Sequence, residues 1–314
     1  MNLRNCVVGL VALIVLPLGS VAVAQTRYNY GGKRSYGETE GGFVLSLEAG
    51  LANPRNTDNI VAAVGPNVII PQWDDEPAGR LGFGYRWSNG NIVSITVWSF
   101  EAEQDAADSL PSPAFEFPIG PASGSSFAVE TKVSAFTTDA AWGITHQVNE
   151  SLSVEGSIGL RYASFEETTD GTYKLTPTGG TLTVGKSLQG DMLGARLAGR
   201  GTYRLGAFSA SVGVGLSALD GELDARSSLT PQPAGTVPVL LIDDSRSGSI
   251  QDLDVNAAWH SSDDRVTVWL GWEQQVWEDI AADLTRNLPG NDVPSRERDS
   301  VTFSWVKVGV SYRF

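Results

Sequence analysis

Between Trp305 and Phe314 every second residue is apolar: Val306, Val308, Val310, Tyr312 and Phe314 alternate with Trp305, Lys307, Gly309, Ser311 and Arg313. A period of two belongs to a β-strand, whose successive side chains point to opposite faces. One face can lie against hydrocarbon while Lys307, Ser311 and Arg313 need water, the pattern of a strand in a membrane barrel with a wet interior. The same period predicts ten strands, near 41–51, 79–88, 91–101, 129–144, 151–165, 190–204, 207–218, 249–259, 265–277 and 300–314. Their connections alternate. Long ones, of about 22–30 residues, take turns with short ones at Asn89-Gly90, Gln147-Val148-Asn149-Glu150, Leu205-Gly206 and Ser261-Ser262-Asp263-Asp264. Such alternation describes an all-β, antiparallel up-and-down transmembrane barrel of about ten strands, with eight or twelve also fitting the pattern. Long loops are external and short turns periplasmic in barrels of this kind, so both termini of the barrel fall on the periplasmic side.

Two hairpins test the reading. A turn at Leu205-Gly206 pairs Arg204 with Ala207, Arg200 with Ser211 and Arg196 with Gly215. Leu193, Leu197 and Tyr203 then share the lipid face with Phe208, Val212 and Leu216, and the arginines lie beside Ser209, Ser211, Gly213 and Gly215. A turn at Asn89-Gly90 pairs Trp87 with Ile92 and sends Val93, Ile95 and Val97 inward. That hairpin therefore has a different register or puts an apolar patch in the lumen.

The first 24 residues change the compartment. Arg4, an apolar run from Cys6 to Leu18, and Ala22-Val23-Ala24 before Gln25 read as a cleaved signal peptide, residues 1–24. Residues 25–40, with Tyr28, Tyr30, Lys33, Arg34 and Tyr36, read as a periplasmic lead-in, and 41–314 as the barrel. No downstream run of 18 apolar residues would make a membrane helix. Cys6, the one cysteine, leaves with the signal peptide, so no disulfide or thiol chemistry is expected. Loss of Arg4 takes the net charge from −14 to about −15, which opposes nucleic-acid binding. The 35 glycines and nine tryptophans favour a many-stranded barrel with interfacial aromatics. Acidic runs at Asp74-Asp75-Glu76, Glu166-Glu167, Asp243-Asp244 and Glu278-Asp279 solvate the loops or bridge through divalent cations to lipopolysaccharide.

The inward face carries the main chemistry. Arg196, Arg200 and Arg204 share one side of a strand, and Arg161, Lys307, Glu48, Glu155, Asp252, Asp254 and Glu273 join them from others. Charges in a barrel must be paired or hydrated. One reading is a neutralised network that fills the lumen; the other is a narrow charge-lined pore, favoured by the space that Ser209, Ser211, Gly213 and Gly215 leave. An enzyme needs a proton shuttle. His146 and His260 both fall at short connections, away from the external loops, and neither has a nucleophile or acid arrangement of distinctive spacing. No catalytic residue, cofactor or metal is predicted.

Two resemblances add to this. The terminal Phe314, with Tyr312, resembles the signal by which the Gram-negative barrel assembly machinery recognises its clients. The stretch Gly156-Ser157-Ile158-Gly159-Leu160-Arg161-Tyr162-Ala163, the strand bearing Arg196, Gly271-Trp272-Glu273 and the terminal Val-Gly-Val-Ser-Tyr-Arg-Phe together resemble the Legionella-type family of pore-forming major outer-membrane proteins. The likeness is diffuse and implies a surface-exposed pore in the cell outer membrane. The expectation is a porin-like barrel passing small hydrophilic solutes or ions, in contact with outer-membrane lipids and lipopolysaccharide; a non-conducting structural or adhesive barrel with a charge-plugged lumen is the alternative.

Overall fold

In the computed structural model, which describes residues 41–56, 62–64, 67–69, 73–109, 115–117, 120–175, 180–231, 237–279 and 300–314, the period-two segments are strands. They are β1 (Gly42–Asn56), β2 (Ala62–Val64), β3 (Asn67–Ile69), β4 (Glu76–Arg86), β5 (Asn91–Ser109), β6 (Phe115–Phe117), β7 (Gly120–Gln147), β8 (Leu152–Leu175), β9 (Thr181–Leu205), β10 (Phe208–Pro231), β11 (Val237–His260), β12 (Val266–Glu278) and β13 (Ser300–Arg313). All pairings are antiparallel, in the order β7-β5-β4-β1-β13-β12-β11-β10-β9-β8, and β7–β8 closes the ring. Ten long strands thus form a closed transmembrane barrel, with β2, β3 and β6 a short ribbon attached to β7. Closure leaves no free edge among the ten long strands, which a chain in hydrocarbon requires. Residues 1–40, expected to form a signal peptide and a lead-in, lie outside the described residues.

The expected lipid face is present. Leu47, Leu51, Trp142, Ile158, Leu160, Leu197, Val214, Leu216, Val255, Leu270, Val306 and Val308 all face outward and are exposed. An apolar belt of this extent is stable only against lipid. Near the turns it ends in aromatics, among them Phe43, Trp87, Tyr203, Phe208, Trp259 and Tyr312, whose rings suit the membrane interface. Beyond Leu193 the outward residues of β9 become Asp191, Gln189, Ser187 and Thr183, and the apolar ones, Met192, Leu188, Val184 and Leu182, point inward and are buried. β10 changes in the same place: Val212, Val214 and Leu216 face out, whereas Leu219 and Leu223 are buried inside. The strands therefore continue past the membrane as a barrel with an apolar core.

Three expectations need correcting. Strands near 129–144, 151–165, 190–204, 207–218 and 249–259 are too short, because each continues through its reversal of phase. Only residues 176–180 separate β8 from β9, and only 232–236 separate β10 from β11. The first hairpin turns through Ser88-Asn89-Gly90, where Gly90 takes φ +90° and its N–H bonds Trp87 O at 3.1 Å. This three-residue turn pairs Tyr85 with Val93 and Phe83 with Ile95, so Val93, Ile95 and Val97 lie with the outward aromatics and no apolar patch enters the lumen. The second hairpin turns at Gly206-Ala207 with Gly206 at φ +62°. Its register pairs Arg204 with Ser209, Arg200 with Gly213 and Arg196 with Ser217. That shift is by two, so the faces are as expected although the partners are not.

Candidate functional site

The lumen is built in layers, and every charged residue assigned from the sequence to the inward face points into it. Across the middle lie two ion-pair groups. In the first, Lys307 of β13 bonds Glu273 of β12 at 2.6 Å and Glu48 of β1 at 3.3 Å, while Arg80 of β4 bonds Glu48 at 3.0 Å and chelates Glu273. In the second, Arg161 of β8 bonds Asp139 of β7 at 2.6 Å and Asp252 of β11 at 3.0 Å, and Arg196 of β9 bonds Asp252 at 3.1 Å. Four cations thus meet four carboxylates. The Lys307 and Arg161 side chains are only 1% and 2% exposed, so each needs its partners, since breaking a buried pair costs about 3–5 kcal/mol. Trp305 covers the first group, with both Arg80 and Lys307 at 5.2 Å from its ring centre.

Toward the turns the lumen is wetter. Arg200 bonds Asp254 at 3.0 Å, Arg204 bonds Asp264 at 2.6 Å, and Glu155 accepts from Arg86 at 3.2 Å and Thr145 at 3.1 Å. The Arg200 side chain is 48% exposed. Carboxylates occupy the space over the glycines beside the arginines. A Cβ on Gly213 would lie 2.0 Å from Asp254 Oδ1, and one on Gly215 would lie 2.6 Å from Asp252 Oδ2. The carboxylates lie flat over the small residues, and the room that Gly213 and Gly215 provide lets Arg200–Asp254 and Arg196–Asp252 bridge from β9 to β11 over β10. His260 hydrogen-bonds Ser209 Oγ at 2.8 Å and Thr267 Oγ1 at 3.1 Å, a polar link between β10, β11 and β12. Its neighbours in sequence, Ser261 and Asp263, bond each other instead. His146 is exposed near the end of β7.

On the other side of the charge layer the interior is largely apolar and aromatic. Trp98 packs within 6.5 Å, centre to centre, of Phe100, Trp277, Phe303 and Trp305, and Phe165 joins through Trp277. Trp98, Trp277, Phe303 and Trp305 are buried, as are Met192, Leu219, Leu223 and Ile250 around them. Sequence reasoning missed this layer by assigning the tryptophans to interfaces. Trp98, Trp269, Trp277 and Trp305 are inside, and the signal was available in their parity, since Trp305 shares a face with Lys307, and Trp277 with Glu273. Outside, on the outer half of the wall, Glu103, Asp105 and Glu130 place carboxylate oxygens within 4.8 Å of one another. Lys132 already bonds Glu130 at 2.7 Å and Glu103 at 3.3 Å there.

No family model and no curated protein matches this chain. Among solved structures, it is similar to the outer membrane protease OmpT from Escherichia coli, with 11% identity over 87% of this chain and 97% of that one, and a TM-score of 0.48. The translocator domain of the autotransporter NalP from Neisseria meningitidis matches with 11% identity over 99% and 98% of the two chains, at a TM-score of 0.41. The KdgM porin matches with 12% identity over 86% and 99%, at 0.29. Identities this low transfer no activity, and the fold rests on the chain's own strand pairing.

Proposed function

We propose that this chain is an outer-membrane barrel with a closed lumen, a structural or adhesive surface protein whose outer half stands above the membrane. The observation that carries this reading is the pair of consecutive packed layers, Glu48–Arg80–Glu273–Lys307 with Asp139–Arg161–Arg196–Asp252, then Trp98, Trp277, Phe303 and Trp305. A solute would have to break buried ion pairs and then pass an aromatic core. The apolar belt and the signal-like start support an outer-membrane location, with lipids and lipopolysaccharide as neighbours and the assembly machinery engaging Tyr312 and Phe314. No catalytic step enters this reading. The porin-like expectation and the resemblance to the Legionella-type family point the other way, and conductance separates them. Refolded protein in a planar bilayer is expected to give no stepwise conductance. Steps that scale with salt concentration in the wild type would sink the closed reading and restore Arg196 and Arg200 as pore lining.

A further inference from the structure

Neighbouring strands of the ring follow one another in the chain everywhere except at β1 and β13, the first and last, which pair from Val44↔Arg313 to Asn56↔Val301. A hairpin whose strands part is still held by its turn. This seam has no such tie, and ends so distant in sequence meet at the largest loop-closure cost of any pair in the ring. The group of Glu48, Arg80, Glu273 and Lys307 sits on it, with Glu48 and Lys307 259 residues apart in the chain. We propose that these four side chains are an ionic latch that keeps the first and last strands from parting sideways into the bilayer. The latch concerns the wall of the barrel and holds whether or not a solute passes the lumen.

The contacts are of two kinds. On the C-terminal side Lys307 of β13 bonds Glu273 of the adjacent β12 at 2.6 Å, and on the N-terminal side Arg80 of β4 bonds Glu48 of the adjacent β1 at 3.0 Å. Each side is neutral by itself, so a parted seam leaves no lone charge at membrane depth, where one is expensive. Four contacts then cross the seam: Lys307 to Glu48 at 3.3 Å, Arg80 to Glu273 at 2.7 Å, Trp269 Nε1 to Glu48 Oε1 at 3.2 Å, and Arg80 over the Trp305 ring at 5.2 Å. Two neutral halves thus interlock only when the strands meet. The backbone makes room for them, since Gly50 faces Lys307 and Gly309 faces Glu48 in the register. A Cβ on Gly50 would run into Val306 O, and one on Gly309 into the Trp269 ring. The second group supplies the contrast. Arg161 and Arg196 with Asp139 and Asp252 join β7, β8, β9 and β11, and among the described residues none of their ion pairs crosses the seam.

The test is hydrogen exchange of the full folded barrel in lipid vesicles, read as the ratio of exchange at amides paired across β1–β13 to that at amides paired across β8–β9. Local opening of the seam raises this ratio, whereas global unfolding raises both rates together and leaves it unchanged. Glu48→Gln and Asp139→Asn are a matched pair, since the two side chains are 12% and 14% exposed and each loses a charge beside arginine without changing shape. Glu48→Gln should raise the ratio by about tenfold or more, and Asp139→Asn should change it by less than about twofold. Heat-modifiable migration first shows that each variant is closed. If either fails that check, Lys307→Arg and Arg161→Lys, which keep the charge and alter the reach, replace the pair and should split in the same direction. A ratio unmoved by the seam variant, or raised equally by both variants, overturns the latch. Stepwise conductance would sink the closed lumen and leave this ratio as expected, so the two readings fail separately.

Discussion

The two ends of β9 and β10 use one alternation in opposite senses. In the membrane half, Leu197 and Val214 face out and Arg196 and Arg200 face in; in the outer half, Gln189 and Glu222 face out and Leu188 and Leu223 face in. The backbone does not change, since both halves belong to unbroken strands with a continuous register from Leu205↔Phe208 to Leu182↔Pro231. What changes is the medium outside. Lipid demands apolar outward side chains and leaves the interior free to hold charge; water reverses the demand, and the outer half folds as a soluble barrel does, around buried leucine and aromatic rings. The charge layer sits where these two regimes meet.

The largest effect should come from breaking that junction. Glu273 is the carboxylate shared by Arg80 and Lys307, so Glu273→Ala leaves two cations facing Glu48 alone. A loss of about 3–5 kcal/mol is expected, read as the shift in urea unfolding of the barrel in lipid vesicles. Stability unchanged by the substitution would show that water already reaches this layer and that the lumen is not sealed.

Next in size is a paired substitution on one face of one strand. Leu197→Arg puts a guanidinium against the lipid belt and should cost about 2–4 kcal/mol. Gln189→Arg, eight residues along on the same outward face, should change stability by less than about 0.5 kcal/mol, as solvent-facing substitutions do. The same unfolding assay reads both. Equal costs would mean that the membrane extends over the outer half and that the reversal of phase has another cause.

This reversal also explains what could and could not be read from the sequence. Ten strands, their antiparallel order and the inward position of Arg161, Arg196, Asp252, Glu273 and Lys307 follow from period-two alternation alone. Strand ends do not, because at Leu216-Ser217-Ala218-Leu219 the apolar residues change parity, and a change of parity reads as the end of a strand. The hairpin registers show a second limit. The slip by two at Gly206-Ala207 preserved both faces, whereas Asn89-Gly90 hid a three-residue turn, and the slip by one reversed Val93, Ile95 and Val97. Which arginine meets which carboxylate depends on register across several strands, as in Arg161 with Asp252, and no local pattern carries it.

The smallest effect is expected where charges pair on the outer wall. Glu130 and Lys132 lie exposed on the surface, unlike Glu273 and Lys307, and the Lys132 ammonium, by hydrogen bond and by charge, holds the Glu130 carboxyl below its usual range. A carboxyl whose pKa is lower folded than unfolded stabilises the fold at pH values above its unfolded pKa, and that contribution is lost as pH falls through the folded one. In water the contribution is screened almost completely. Lys132→Met should therefore raise the Glu130 pKa toward the ordinary glutamate value, seen by carbon NMR of the labelled carboxyl, and should leave the unfolding curve at neutral pH where it was. If Lys132→Met destabilised the barrel as much as Glu273→Ala, the outer wall would be buried against something, and the contrast between a wet exterior and a dry interior in this half would fail.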